Sequence, residues 1–181
     1  MSLLSFIAVR LTDQRENVAT EALGYLLRRS AALRDGVADL LRTAGAPRWQ
    51  VAHAETQVAV GSESRPDLVL RDAKDAPVAF VEAKFWAGLT DSQPTAYLKR
   101  LAQSGTGTLV VIAPATRCRS LWEHLLDRCR TQQIPAQVRS PSAPTWSATI
   151  PGHGSLLLVS WEEVLQVLRH AATTGHDQEA L

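Results

Sequence analysis

The chain has 181 residues, 45% apolar and 20% charged, with a net charge of +1. That composition excludes wholesale disorder, and no global basic field advertises nucleic acid; any nucleic-acid enzyme with this charge would need a local basic patch. The length suits one domain with a sizeable core and little more.

The opening segment, MSLLSFIAVR, carries an apolar run from Leu3 to Val9. It is far short of the roughly 20 residues a membrane-spanning helix needs. It also lacks a basic leader and a small-residue cleavage site. A short buried strand or an extended lead-in is expected, with a cytoplasmic location and no membrane partner.

Asp13-Gln-Arg-Glu16 has capping-box spacing, and Leu23, Leu26, Leu27, Val37 and Leu41 recur at helical intervals. One helix is predicted from about Gln14 to Thr43, ending before Gly45-Ala-Pro47. Trp49 to Val60 reads as a strand, DLVLR as a second and PVAFVEAK as a third, with DAKDA as the turn between the last two. Thr90-Asp-Ser-Gln93 repeats the capping pattern, with Pro94 suited to a first helical turn, and predicts a helix to about Gln103. TLVVIAP has the length and unbroken apolarity of a fully buried strand. Arg117 to Arg130 reads as a helix, and the Pro/Ser-rich stretch from Gln132 to Gly154 as a long loop with room for one short strand. SLLLVSW is a further buried strand, and Ser160-Trp-Glu-Glu163 opens a last helix to about Ala172. The order α-β-β-β-α-β-α-β-α predicts an α/β domain with a mixed sheet flanked by helices. The tail, TTGHDQEAL, could open another helix, which leaves a longer natural chain open.

Cys118 and Cys129 fall on one face of a predicted helix but roughly 16 Å apart along it, too far for a disulfide. Reduced thiols are expected. The five histidines are scattered and lack zinc-type spacing with a cysteine.

The hairpin poses the chemical question. With its centre near Lys74 and Asp75, antiparallel pairing sets Asp67 opposite about Glu82. Alternation puts Glu82 and Lys84 on one face, shared with Val78 and Phe80, and turns Ala83 away. Opposed carboxylates about 5 Å apart repel unless a cation lies between them. A hard divalent ion with oxygen ligands satisfies both, and the Ala83 carbonyl could add another oxygen. Lys84 could orient a water or offset developing negative charge.

Pro66-Asp67 followed by Glu82-Ala-Lys84 resembles the PD-(D/E)xK nuclease superfamily. The resemblance implies a restriction-endonuclease-like αβββαβ core with a C-terminal strand and helix added. It also implies Mg²⁺-dependent phosphodiester hydrolysis, with Mn²⁺ able to substitute, and DNA as the expected partner. It covers about residues 13–114, with 115–181 as peripheral additions to one domain. Gln93 and Tyr97, four apart on the helix after the lysine strand, match a pair found in many members, with the role of orienting the phosphate or a nearby water. Members also often place an acid from the first helix in the site. Glu16 is preferred to Glu21 because it falls within the arc of Leu23, Leu27 and Leu41. The metal set implied is therefore Asp67, Glu82, the Ala83 carbonyl and Glu16, with Asp67, Glu82, Lys84, Gln93 and Tyr97 carrying the reaction.

Plain structural roles compete. Asp67 could simply open a strand, Glu82 and Lys84 could form a solvent-facing ion pair, and capping alone accounts for Glu16 and Gln93. Glu55 or Gln57 could reach substrate. Trp86 could stack on a base, although packing against the domain is preferred. A nuclease fold kept as a nucleic-acid or protein-binding module is the second functional reading. RNA as substrate, a homodimer, further domains and partner proteins stay open.

Overall fold

The computed structural model describes residues 15–56, 65–90, 93–103, 105, 107–140 and 145–174. Among these, five helices surround a seven-stranded mixed sheet.

The chain opens with α1 (Arg15–Arg29) and α2 (Ala31–Thr43), two helices where one was expected. Ser30 makes the break. Its backbone is extended (φ −119°, ψ 119°), and its Oγ accepts the Leu33 N–H at 3.1 Å. A serine that satisfies an orphan amide competes with helix continuation. Arg34 serves the other side of the break, its Nη1 donating to the Leu27 and Arg28 carbonyls at 2.7 and 3.2 Å. Apolar spacing alone could not register this break, because it runs on through both helices.

The first strand, β1 (His53–Thr56), is shorter than the Trp49–Val60 span expected; residues 57–60 lie outside the described residues. β2 (Leu68–Arg71) and β3 (Pro77–Ala83) form the predicted hairpin. Asp72 Oδ1 accepts the N–H groups of Lys74 and Ala76 at 2.8 and 2.9 Å and so closes the turn. Next come α3 (Thr95–Gln103), β4 (Thr108–Ala113) and α4 (Ala115–Thr131). The stretch expected as a loop with one short strand holds two, β5 (Gln137–Ser140) and β6 (Trp146–Ile150). β6 buries its alternating apolar residues Trp146, Ala148 and Ile150, and Ser147 as well, whereas β5 is an exposed edge strand with little apolar signal. β7 (Gly154–Ser160) leads directly into α5 (Trp161–Thr174). Ser160 and Glu163 form a full capping box there: the Glu163 N–H donates to Ser160 Oγ at 3.1 Å, and the Ser160 N–H to Glu163 Oε2 at 3.0 Å.

The strand order is β1-β2-β3-β4-β7-β6-β5. β3, β4 and β7 run parallel at the centre, and the outer pairs are antiparallel. Burial on both faces is why the three central strands read as continuous apolar runs. Alternate residues feed two cores. Val110 and Ile112 pack with α1, α2 and α5, while Leu109 and Val111 pack with α3 and α4. Phe80 belongs to the α3 side, but Val78, expected to share its face, packs with the other core; the pairing with β2 shifts between Leu70 and Arg71 at that end. No helix among the described residues is long and apolar enough to cross a membrane.

Gly154, where β7 begins, has φ +94°, and a Cβ there would collide with the Gly107 carbonyl. That carbonyl accepts the Ser155 N–H at 3.1 Å. Both the positive φ and the close approach require glycine. Gly154→Ala is expected to lower unfolding stability by about 2–4 kcal/mol, measured as a shifted urea midpoint at unchanged slope.

Candidate functional site

Three parallel strands end on one edge of the sheet, and Lys84 stands at the end of β3 there. The β2–β3 register pairs Leu68 with Val81. One step further sets Asp67 level with Glu82, as the hairpin arithmetic predicts. Asp67 Oδ2 accepts the Ala83 N–H at 2.8 Å. In an extended strand the N–H and C=O of one residue leave the same side, so the Ala83 carbonyl faces the edge that Asp67 occupies. The Lys84 N–H donates to the Ile112 carbonyl on the opposite side, at 2.8 Å.

Pleat parity sorts the side chains. Val69 and Phe80 pack with the α3 and α4 core. Glu82, two residues from Phe80 on β3, takes that face as well, and the charges of Glu82 and of Asp67, just ahead of β2, both act on Tyr97 there. Lys84 follows, with its Nζ 2.8 Å from Glu82 Oε1. Both side chains are 8% exposed, so the pair is buried, not the solvent-facing pair that a structural role would predict.

Gln93 adds a second donor, its Nε2 lying 2.6 Å from the same Oε1. Glu82 Oε2 is also buried and has no hydrogen-bond partner among the described residues. An ionised carboxylate oxygen left dry and unpaired is costly, by about 1–3 kcal/mol or more. The donor set therefore leaves one acceptor open to a cation. Mg²⁺ keeps several waters and is commonly held by one or two carboxylates plus substrate phosphate. Asp67, Glu82 and the Ala83 carbonyl fit that demand. Among the described residues, no group of three or more His, Cys, Asp or Glu could hold a metal.

Gln93 lies in the turn before α3, not on the helix, with Tyr97 in its first turn. The two still meet: Gln93 Nε2 is 3.4 Å from Tyr97 Oη, and Gln93 Oε1 accepts the Thr90 N–H at 3.3 Å. Tyr97 Oη donates to the Arg65 carbonyl at 3.0 Å, two residues before Asp67. Its ring meets Phe80 edge-on at 6.0 Å. Burial first, and then the charge of Glu82, push the phenol well above its ordinary range. It therefore stays a donor at neutral pH. Gln93 thus holds Glu82, and Tyr97 holds the backbone leading to Asp67.

The first helix departs from expectation. The Glu16 side chain lies outside the described residues. Glu21, placed by the sequence on the far side, instead accepts Thr56 Oγ1 on β1 at 2.8 Å. Gly24 explains the close approach, since a Cβ there would strike the Thr56 methyl group. The helical-wheel argument used Leu41, which the Ser30 break assigns to another helix. Thr56 pairs with Leu68, a residue of the α1-side core, so an acid on α1 reaches Asp67 only around the sheet edge. Glu55 pairs with Val69 and shares the face of Asp67; it bonds Arg71 at 3.0 Å. Gln57 lies outside the described residues.

One residue beyond the motif also differs from expectation. Trp86, expected to pack, is 74% exposed. Phe85 takes the inward position, stacked on Trp161 at 5.5 Å. Both residues lie in a bend after β3 has ended, where strand alternation no longer sets which side chain turns inward. Arg117, in the first turn of α4, donates from Nη2 to the Ala87 carbonyl at 2.6 Å. The cysteines are buried within α4, and burial pushes both thiols up to about 11. They remain protonated at neutral pH and are no nucleophiles.

Compared with known proteins, the chain matches no family model, no curated protein and no solved structure.

Proposed function

We propose that this chain is a metal-dependent nuclease that hydrolyses phosphodiester bonds in DNA, built on a restriction-endonuclease-like core. Glu82 carries the reading. It is buried beside Asp67, one oxygen held by Lys84 and Gln93, the other without a hydrogen-bond partner among the described residues. The succession of helices, antiparallel β1 to β3, α3 and a parallel β4 agrees with the core that the Pro66-Asp67 and Glu82-Ala-Lys84 pattern implies.

When bound, Mg²⁺ or Mn²⁺ supplies Lewis acidity at the scissile phosphate and a water of lowered pKa. Asp67, Glu82 and the Ala83 carbonyl would hold it, with Glu16 as the candidate from α1. The Lys84 ammonium offsets charge developing on the phosphate or holds the attacking water. Gln93 keeps Glu82 in one rotamer, and Tyr97 ties down the segment that carries Asp67.

The test is calorimetric titration of the wild type with Mg²⁺ and Mn²⁺, alongside incubation with single- and double-stranded DNA. Saturable metal binding together with cleavage only when metal is added is the expected result. Absence of both would sink the proposal. Binding of DNA without cleavage would favour the second reading, a nuclease-like module without catalysis. That reading draws on the Glu82–Lys84 pair, in which the lysine by itself offsets the charge of the acid.

A further inference from the structure

Trp86 is the most exposed large apolar side chain among the described residues, ahead of Tyr25 at 53%. The backbone that presents it is anchored on both sides. Before it, the Lys84 N–H bonds the Ile112 carbonyl, Lys84 Nζ pairs with Glu82, and Phe85 stacks on Trp161 at an interplanar angle of 26°. After it, the Ala87 carbonyl accepts Arg117 Nη2 at 2.6 Å. A ring that is 74% exposed is thus carried on backbone whose neighbours are fixed on both sides.

Its position bears on the substrate. Two residues along the chain keep the Trp86 Cα within about 7 Å of the Lys84 Cα. A nucleotide whose phosphate lies at Glu82 and Lys84 would have its base within reach of the indole. In a duplex, base faces are covered by their neighbours, so an exposed indole meets one only where the base is unpaired or turned out. The net charge of +1 offers little long-range pull on duplex phosphates, and stacking on an exposed ring adds affinity that does not depend on it.

Resting on the nuclease reading above, we propose that Trp86 is a stacking platform for an unpaired base next to the scissile phosphate. The substrate is then DNA that presents single-stranded nucleotides at the cleavage point.

The test uses the full chain with Ca²⁺ in place of Mg²⁺, to keep the probe intact. A short fluorescein-labelled oligodeoxythymidine, its duplex with oligodeoxyadenosine, and the matching oligouridine are titrated by anisotropy. Trp86→Ala should weaken single-strand DNA binding about 5- to 100-fold, with duplex binding unchanged. Trp86→Phe should stay within about 3-fold of wild type, since a flat ring remains to stack. Unchanged melting temperatures would show that both variants fold. Equal single-strand binding by Trp86→Ala and wild type would overturn the assignment, as would an equal loss on the duplex. Binding of RNA alone would overturn the choice of DNA. Loss of self-association in Trp86→Ala, with DNA binding intact, would make the ring a protein contact and overturn the proposal too. If wild type binds metal but neither form of DNA, the nuclease reading itself fails and this inference falls with it.

Discussion

Asp67→Asn is expected to abolish metal-dependent cleavage while leaving a folded protein. Asparagine keeps an oxygen for the Ala83 N–H, which Asp67 Oδ2 now accepts at 2.8 Å. Local hydrogen bonding therefore survives, and the half-buried position tolerates the similar shape. What disappears is the charge that a cation needs. Replacing groups that merely orient metal ligands typically costs about 10- to 100-fold in affinity, so loss of a ligand charge should cost at least about 100-fold. Calorimetry with Mg²⁺ and a thermal melt on the same sample read both quantities. Cleavage at the wild-type rate would remove Asp67 from the site and leave it a strand-opening residue.

Lys84→Met separates a structural ion pair from a working one. Lys84 and Glu82 are each 8% exposed, and their 2.8 Å contact offsets the burial of both charges. Removing one partner of such a pair costs about 3–5 kcal/mol, because the other charge stays buried alone. Methionine fills comparable space, so the loss should be mainly electrostatic. A cation beside Glu82 would take over the role of the ammonium. Added Mg²⁺ should therefore raise the urea midpoint of Lys84→Met more than that of wild type. Cleavage should still fall by about 100- to 1000-fold, since the charge aimed at the phosphate is gone. Identical Mg²⁺ shifts in the two proteins would mean that Lys84 and the metal do not share Glu82, and the mechanism would have to be redrawn.

The hairpin was legible because its logic is local. Alternation with period two and a turn at Asp72–Asp75 place Asp67 level with Glu82 without knowledge of the remaining chain. Central strands such as β4 and β7 were legible because burial on both faces leaves an unbroken apolar run. The long-loop reading of 132–154 missed β5 because an edge strand with exposed side chains carries almost no hydrophobic pattern. It missed β6 because alternation over five residues is too short to stand out between Pro/Ser-rich flanks. The choice of Glu16 over Glu21 used Leu23, Leu27 and Leu41; the serine cap at Ser30 removes Leu41 from that helix, Leu23 and Leu27 stay buried on it, and the Glu16 side chain lies outside the described residues.

Residue types and their spacing along the chain determined that three charges would gather at the end of one hairpin, on the face turned to the following helix. Those relations follow from bonded geometry within some twenty residues, where the chain has little freedom. Contacts between distant segments were decided only by the tertiary structure. Phe85 found Trp161 and left Trp86 in solvent. Gly24 let α1 approach Thr56, and Tyr97 reached back to the Arg65 carbonyl. Burial of the Glu82–Lys84 pair, and the unpartnered oxygen it leaves, depend on α3 and Gln93 closing over the strand end. Such contacts arise from packing whole faces together, and one-dimensional spacing does not encode which surfaces meet.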